Sequence, residues 1–141
     1  MAGCSFCAIA AGSLAADVVY EDAATLAFLD HRPLFPGHVL VIPREHCTTL
    51  GDLAPAAIEP LFAATRRLAH AVERALEAEG SFVAINNRVS QSVAHLHVHV
   101  VPRRRGDGLR GFFWPRRRYS GPDHATAVRD AIRRALAEDA G

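Results

Sequence analysis

Apolar and polar positions along the chain follow two different periods. Residues 18–20, 25–29, 38–43, 81–86 and 93–102 are short apolar or alternating runs bounded by turn formers, and each predicts a β-strand. The link over residues 21–24 is short enough for a hairpin, and the stretch from Arg32 to Gly37 is rich in turn residues. Between these runs the spacing becomes helical, with apolar positions at Ile58, Leu61, Phe62, Leu68, Val72 and Leu76. This predicts a main helix over residues 60–79. Pro60 belongs in its first turn, because proline deeper inside removes a ladder hydrogen bond, and Gly80 is its stop. Residues 5–11 predict a short helix ending at Gly12, and residues 123–137 a terminal helix with Asp123 as its cap. Strands joined by short links around one long helix imply an α+β fold, with an antiparallel sheet covered on one side.

One alternating stretch carries chemistry. In His95-Leu96-His97-Val98-His99-Val100-Val101 the imidazoles fall on every second residue. In a strand, residues i, i+2 and i+4 share a face, so the three rings form a column with neighbours roughly 6.6 Å apart, while Leu96, Val98 and Val100 turn into a core. A single strand histidine is ordinarily a satisfied or partly exposed residue. Three in strict register are hard to explain as packing. Near neutral pH, imidazole serves as nucleophile, proton carrier or metal ligand.

The bulk numbers narrow the choice. A chain of 141 residues, half of them apolar, makes one domain with a real core. The net charge of +1 gives no reason to expect a nucleic-acid binder; every basic residue is arginine. No apolar run spans a bilayer and no charged leader precedes an apolar stretch, so the expectation is a cytoplasmic protein without membrane attachment. Three cysteines, with Cys4 and Cys7 in a C-x-x-C pair, argue against a disulfide framework. The pair is half a zinc site or a redox motif, and zinc is favoured because no strand precedes it. Cys47 reads as a small packing residue. Arg103, Arg104, Arg105, Arg110, Arg116, Arg117 and Arg118 crowd one span, either as a solvated face or as a basic rim for a polyphosphate. Trp114, Phe112 and Phe113 are candidates for packing on a partner or near a pocket.

The stretches Cys4-x-x-Cys7, Leu29-Asp30, residues 36–46 (PGHVLVIPREH), Asn86-Asn87, Gln91-Ser92-Val93, the alternating histidines and Pro102-Arg103 resemble, in order, those of the histidine triad (HIT) family. The resemblance covers residues 4–104, with residues 105–141 as a C-terminal extension, in one domain. It implies a small α+β fold with a five-stranded antiparallel sheet, one main helix and an extension helix, and pairing into a homodimer through the main helix and a neighbouring strand. It also implies nucleotidyl transfer at an α-phosphate, with release of a nucleoside monophosphate from an adenosine dinucleoside polyphosphate or a nucleoside phosphoramidate. His97 then corresponds to the nucleophile, which forms a covalent nucleotide intermediate, and a backbone carbonyl is expected to fix its tautomer. His99 and Ser92 correspond to phosphate-side donors. Asp30 corresponds to the ribose acceptor with His31 beside it, His38 to a supporting residue, and Asn87 and Gln91 to polar neighbours of the phosphate. The segment from Asn87 to Gln91 is shorter than the family's glycine-rich loop, and strand alternation lets only one of Asn86 and Asn87 face inward. In zinc-containing members the matching ligand set is Cys4, Cys7, His46 and His95, two thiolates and two imidazoles suited to structural zinc. The alternatives are a nucleotide-binding regulatory module with little turnover, or a zinc-organised interaction protein.

Overall fold

The computed structural model describes residues 3–110 and 116–139. Two compact units divide the chain, Met1–Asp107 and Gly108–Gly141. The first holds α1 (Ser5–Ala10), β1 (Val18–Glu21), β2 (Thr25–Leu29), β3 (Val39–Pro43), a 3-10 turn (Leu50–Asp52), α2 (Pro55–Ala75), β4 (Gly80–Ala84) and β5 (Val98–Arg103). The second holds α3 (Pro122–Glu138). The α+β expectation holds: five strands form one sheet in the order β1-β2-β3-β5-β4, with every neighbouring pair antiparallel.

Alternation gives the sheet two working faces. Ala27, Val39, Val41, Val98 and Val100 turn to one side and meet Leu61, Ala64, Leu68 and Val72 of α2 in the main core. Leu26, Phe28, Leu40 and Ile42 turn to the other side, where Phe6 of α1 packs on them. The register sets Leu40 and Ala84 opposite His99, which places that ring beside the Phe6 face. Gly37 sits just before β3 at φ +97°, a left-handed conformation, and an added Cβ would stand 3.0 Å from Leu76 Cγ. A side chain here would be strained and crowded against the end of α2.

Four boundaries differ from the sequence expectation. The main helix starts at Pro55 rather than Pro60, with Pro55 at the first helical position and Pro60 inside the helix. Pro60 costs one ladder bond, yet the helix continues, because Leu61, Ala64, Leu68 and Val72 are buried along its stripe. Its end is set by Glu77 at φ 53°, where Ala78 N–H donates to Glu73 O at 2.9 Å, as in a Schellman closure. Gly80 therefore opens β4 instead of stopping the helix. The last strand begins at Val98, not at residue 93. Continuing the β3–β5 register would bring Leu96 opposite Pro43, which has no N–H for the ladder, and Leu96 N–H donates to Cys47 O instead, at 2.8 Å. Finally, Gly121 occupies the N-cap of α3, and Asp123 lies in the first turn without capping it.

Candidate active site

The three histidines keep their shared side although His95 and His97 precede the regular strand. Leu96, Val98 and Val100 enter the α2 core, while the rings of His97 and His99 meet at a centroid distance of 4.9 Å. Phe6 packs edge-on against His97 at 5.2 Å and against His95 at 5.9 Å. His97 is buried, and its Nδ1 lies 2.8 Å from the carbonyl oxygen of His95. A carbonyl can only accept, so this contact assigns the proton to Nδ1 and leaves a lone pair on Nε2. Among the described residues nothing hydrogen-bonds that nitrogen.

A second chain of contacts fixes His99. Leu34 N–H donates to His38 Nδ1 at 3.0 Å, so the His38 proton sits on Nε2, which donates to His99 Nδ1 at 2.9 Å. The remaining proton of His99 is then on Nε2. Burial disfavours charge on both rings. It holds His38 below its ordinary value, and it takes His99 to about 4, with the neighbouring His97 and His38 adding to the shift. Both are neutral at pH 7. Asp30 Oδ1 accepts from Arg32 N–H at 2.9 Å, while Oδ2 lies 3.7 Å from His38 Nε2.

These groups border a cleft of about 540 Å³. Its apolar lining includes Phe6, Ile9, Leu14, Phe28 and Leu40, and its polar lining Asp30, His31, Ser92, His97 and His99. His38 stands behind His99 and does not line the cleft. Asn87 and Gln91 do not line it either. The Asn87 side chain accepts from Leu50 N–H at 2.8 Å. Gln91 donates to Thr48 O at 2.7 Å and accepts from Arg88 N–H at 2.9 Å. These amides brace a short loop in which Arg88 and Ser90 adopt φ 67° and 61° without glycine. Asn86 and Asn87 are both exposed. Sequence reasoning missed the α1 contribution. Ser5 and Phe6 line the cleft from between the two cysteines, and only the position of Phe6 inside the C-x-x-C pair signalled it.

The predicted ligand set converges beside this cleft. Cys4 Sγ lies 3.4 Å and Cys7 Sγ 3.5 Å from His95 Nδ1. His46 Nδ1 is 3.3 Å from Cys7 Sγ and 3.2 Å from His95 Nδ1. All four donor atoms fall within 4.8 Å of one another. A zinc tetrahedron with bonds of about 2.3 Å to sulfur and about 2.0 Å to nitrogen has edges of about 3.3–3.8 Å, close to these separations. His95 Nε2 lies 2.9 Å from Pro43 O, which fixes its proton there and turns the Nδ1 lone pair into the cluster. Burial holds His95 below its ordinary value, in the neutral form a metal requires. The cluster can hold a metal ion. Cys47 is half-buried and packs against the α2 core.

The first arginines of the basic run are committed locally. Arg103 pairs with Asp107 at 2.6 Å, Arg105 with Glu79 at 2.6 Å, and Arg104 bonds the Leu76 carbonyl. None of the three borders the cleft. Phe112, Phe113 and Trp114 lie outside the described residues. Among the described residues no helix is long and apolar enough to cross a membrane.

Comparison with known proteins gives a consistent result. The HIT domain family matches residues 11–106. An uncharacterized HIT-like protein of Mycobacterium tuberculosis is 43% identical over 108 residues, 75% of each chain. An asymmetrical bis(5'-nucleosyl)-tetraphosphatase of Schizosaccharomyces pombe is 37% identical over 92 residues, 64% of this chain and 50% of that one. A Zn-bound histidine triad family protein of Mycobacterium smegmatis superposes with a TM-score of 0.72 at 37% identity, covering 96% of this chain and 97% of the other.

Proposed function

The chain belongs to the HIT family, and we propose that it is a nucleotidyl hydrolase or transferase acting at the α-phosphate of an adenosine nucleotide. The observation that carries this reading is the tautomer of His97. With Nδ1–H held by the His95 carbonyl, Nε2 keeps its lone pair, and the cleft that His97 lines also carries apolar side chains and an acceptor carboxylate. A neutral imidazole needs no base to activate it.

In this mechanism the purine packs against Phe6, Ile9 and Phe28, and Asp30 Oδ2 accepts from the ribose hydroxyls. His97 Nε2 attacks the α-phosphorus in line with the leaving group, whose bond to phosphorus breaks with the electron pair. Positive charge spreads over the His97 ring as the P–N bond forms, and the His95 carbonyl stabilises it through Nδ1–H. His99 Nε2–H donates to the phosphoryl oxygens, where the field of a fixed donor matters most. Ser92 serves the phosphate or leaving group, and His31 covers the ribose side. Water then cleaves the P–N bond and frees the nucleoside monophosphate. The S. pombe relative's description as a tetraphosphatase supports polyphosphates as one substrate class, and phosphoramidates are the other.

We assign zinc to Cys4, Cys7, His46 and His95 as a structural ion; the donor chemistry and the Zn-bound relative support this. When bound it supplies a fixed cross-link between α1 and the segment before β5 and leaves no open coordination position. We also propose a homodimer through α2 and β4. Ile58 and Phe62 of α2 and Val83 of β4 are exposed there, and β4 is the last strand in the sheet order, beside β5.

The test is direct. Mixing the protein with an adenylate ester and trapping in acid should give an AMP adduct at His97 by mass spectrometry. His97→Gly should abolish AMP release while nucleotide affinity stays within a few-fold. A folded protein without adduct or turnover over a panel of adenylated compounds would leave a binding module only.

A further inference from the structure

His95 serves two neighbours at once. Its ring joins the thiol–imidazole cluster, with Nδ1 3.4 Å from Cys4 Sγ and 3.5 Å from Cys7 Sγ, while its carbonyl holds His97 Nδ1 at 2.8 Å. The two cysteines also bracket Ser5 and Phe6, both of which line the nucleotide cleft. Phe6 in turn packs on His97 at 5.2 Å. Cys4 further caps α1, its Sγ accepting from Cys7 N–H at 3.3 Å. Three features of the cleft therefore depend on where the two sulfurs sit: the tautomer of His97, the Phe6 wall and the first turn of α1.

Those sulfurs are within reach of solvent. Cys4 and Cys7 are only partly buried, and Cys4 lines a second open cleft with Ser5, His46, Thr48 and Ser92. Both cysteines are free thiols, whereas a disulfide closes at about 2.05 Å, so oxidation must draw at least one sulfur away from its present place. The α2 side of the sheet does not depend on them, because the main core joins α2 to the sheet without either residue, while Cys4 packs against the Phe6 side.

We propose that Cys4 and Cys7 form a thiol switch that gates the nucleophile, oxidised by a peroxide to a disulfide that withdraws two of the four donors from the cluster and frees His95 and Phe6 from the positions that hold His97. This rests on the proposed roles of His97 and of the metal cluster. In the oxidation the two thiolates give up one electron pair, the S–S bond forms and the peroxide O–O bond breaks. Two protons from solvent join the oxygens, which leave as two waters when the oxidant is hydrogen peroxide. A dithiol reductant reverses the step. Cys47 is not part of it, since it packs on the opposite, α2-facing core.

The test uses the full chain loaded with zinc and treated with hydrogen peroxide. Four quantities are followed: free thiols, zinc released to a chromogenic chelator, the ¹⁵N signals of the His97 ring, and the rate of AMP-adduct formation. Two thiols should be lost with the third retained, and zinc should appear in solution. The His97 ring should pass from a single Nδ1–H tautomer to a mixture, and adduct formation should fall about tenfold or more. Dithiothreitol with zinc should restore all four, and Cys47→Ala should respond as the wild type does. Oxidised protein with an unchanged His97 tautomer and rate overturns the gate, and so does a tautomer change accompanied by collapse of the far-UV circular dichroism. A tautomer change in a protein that never forms an adduct supports the gate and sinks the nucleotidyl-transfer reading instead.

Discussion

The His99 site makes stability depend on pH in a way that can be worked from its surroundings. His99 sits at about 4, against an ordinary 6.5, because burial and the neighbouring His97 and His38 rings penalise its charged form. Its Nδ1 already accepts from His38 Nε2 at 2.9 Å, so a proton there would also break that bond. Above the ordinary value both folded and unfolded chains are neutral at this residue, and its contribution is fully present. As pH falls below that value the unfolded chain takes up the proton first, and stability drains away until the folded pKa is reached. The full shift corresponds to about 3 kcal/mol, of which about 2 kcal/mol is lost between pH 7 and pH 5. The perturbation is His99→Gln, which removes the titrating group and retains a polar side chain. Urea unfolding of both proteins should be followed by tryptophan fluorescence and circular dichroism at half-unit steps across that range. The wild type should lose about 2 kcal/mol more than the variant on going from pH 7 to pH 5. Parallel stability curves would show that His99 is not held neutral by the fold, and the relay from Leu34 through His38 would have to be abandoned.

Three further outcomes are expected. Asp30→Ala should raise KM for ribonucleotide substrates about tenfold and leave 2',3'-dideoxy analogues almost unaffected, as steady-state kinetics on both can read; equal losses on the two would remove Asp30 from ribose recognition. Glu77→Gly should stabilise the protein by about 1 kcal/mol in denaturant unfolding, because it relieves a left-handed non-glycine residue at φ 53°, and no gain would mean that Glu77 is not strained there. Plasma mass spectrometry should find stoichiometric zinc on the wild type and its loss in the double variant Cys4→Ser with Cys7→Ser, whereas full retention of metal in the variant would place the ion elsewhere.

Strands and the histidine column were legible because both depend on period two alone. Leu96, Val98 and Val100 had to be buried, and any segment that buries them turns His95, His97 and His99 the other way. The convergence of Cys4, Cys7, His46 and His95 followed from the motif resemblance, since the residues come from three distant parts of the chain. Local signals failed where tertiary packing decided. Pro60 reads as a helix start, but the α2 stripe on the sheet carries the helix through it, and Glu77 accepts a conformation that favours glycine. For Asn87 and Gln91 the sequence could not show which local partners their amides take, because a polar residue near a site has two employments. Here a loop without glycine takes them for its own bracing, through Leu50 N–H and the Thr48 carbonyl. The Phe6 wall was missed for a simpler reason: a lone aromatic in a short helix carries no periodicity to read, and its place inside the C-x-x-C pair was the one signal.

The relay behind His99 begins at the amide of Leu34, a group that cannot reverse its role. Every proton along it is therefore oriented the same way, and the far end always presents hydrogen rather than a lone pair to whatever enters. Such a terminus is one-sided: it suits an oxygen with a lone pair, most of all one that carries negative charge, and confronts an ammonium with hydrogen against hydrogen. The orientation of the relay thus originates in the main chain at residue 34, where among substitutions only proline, which lacks the N–H, would remove it.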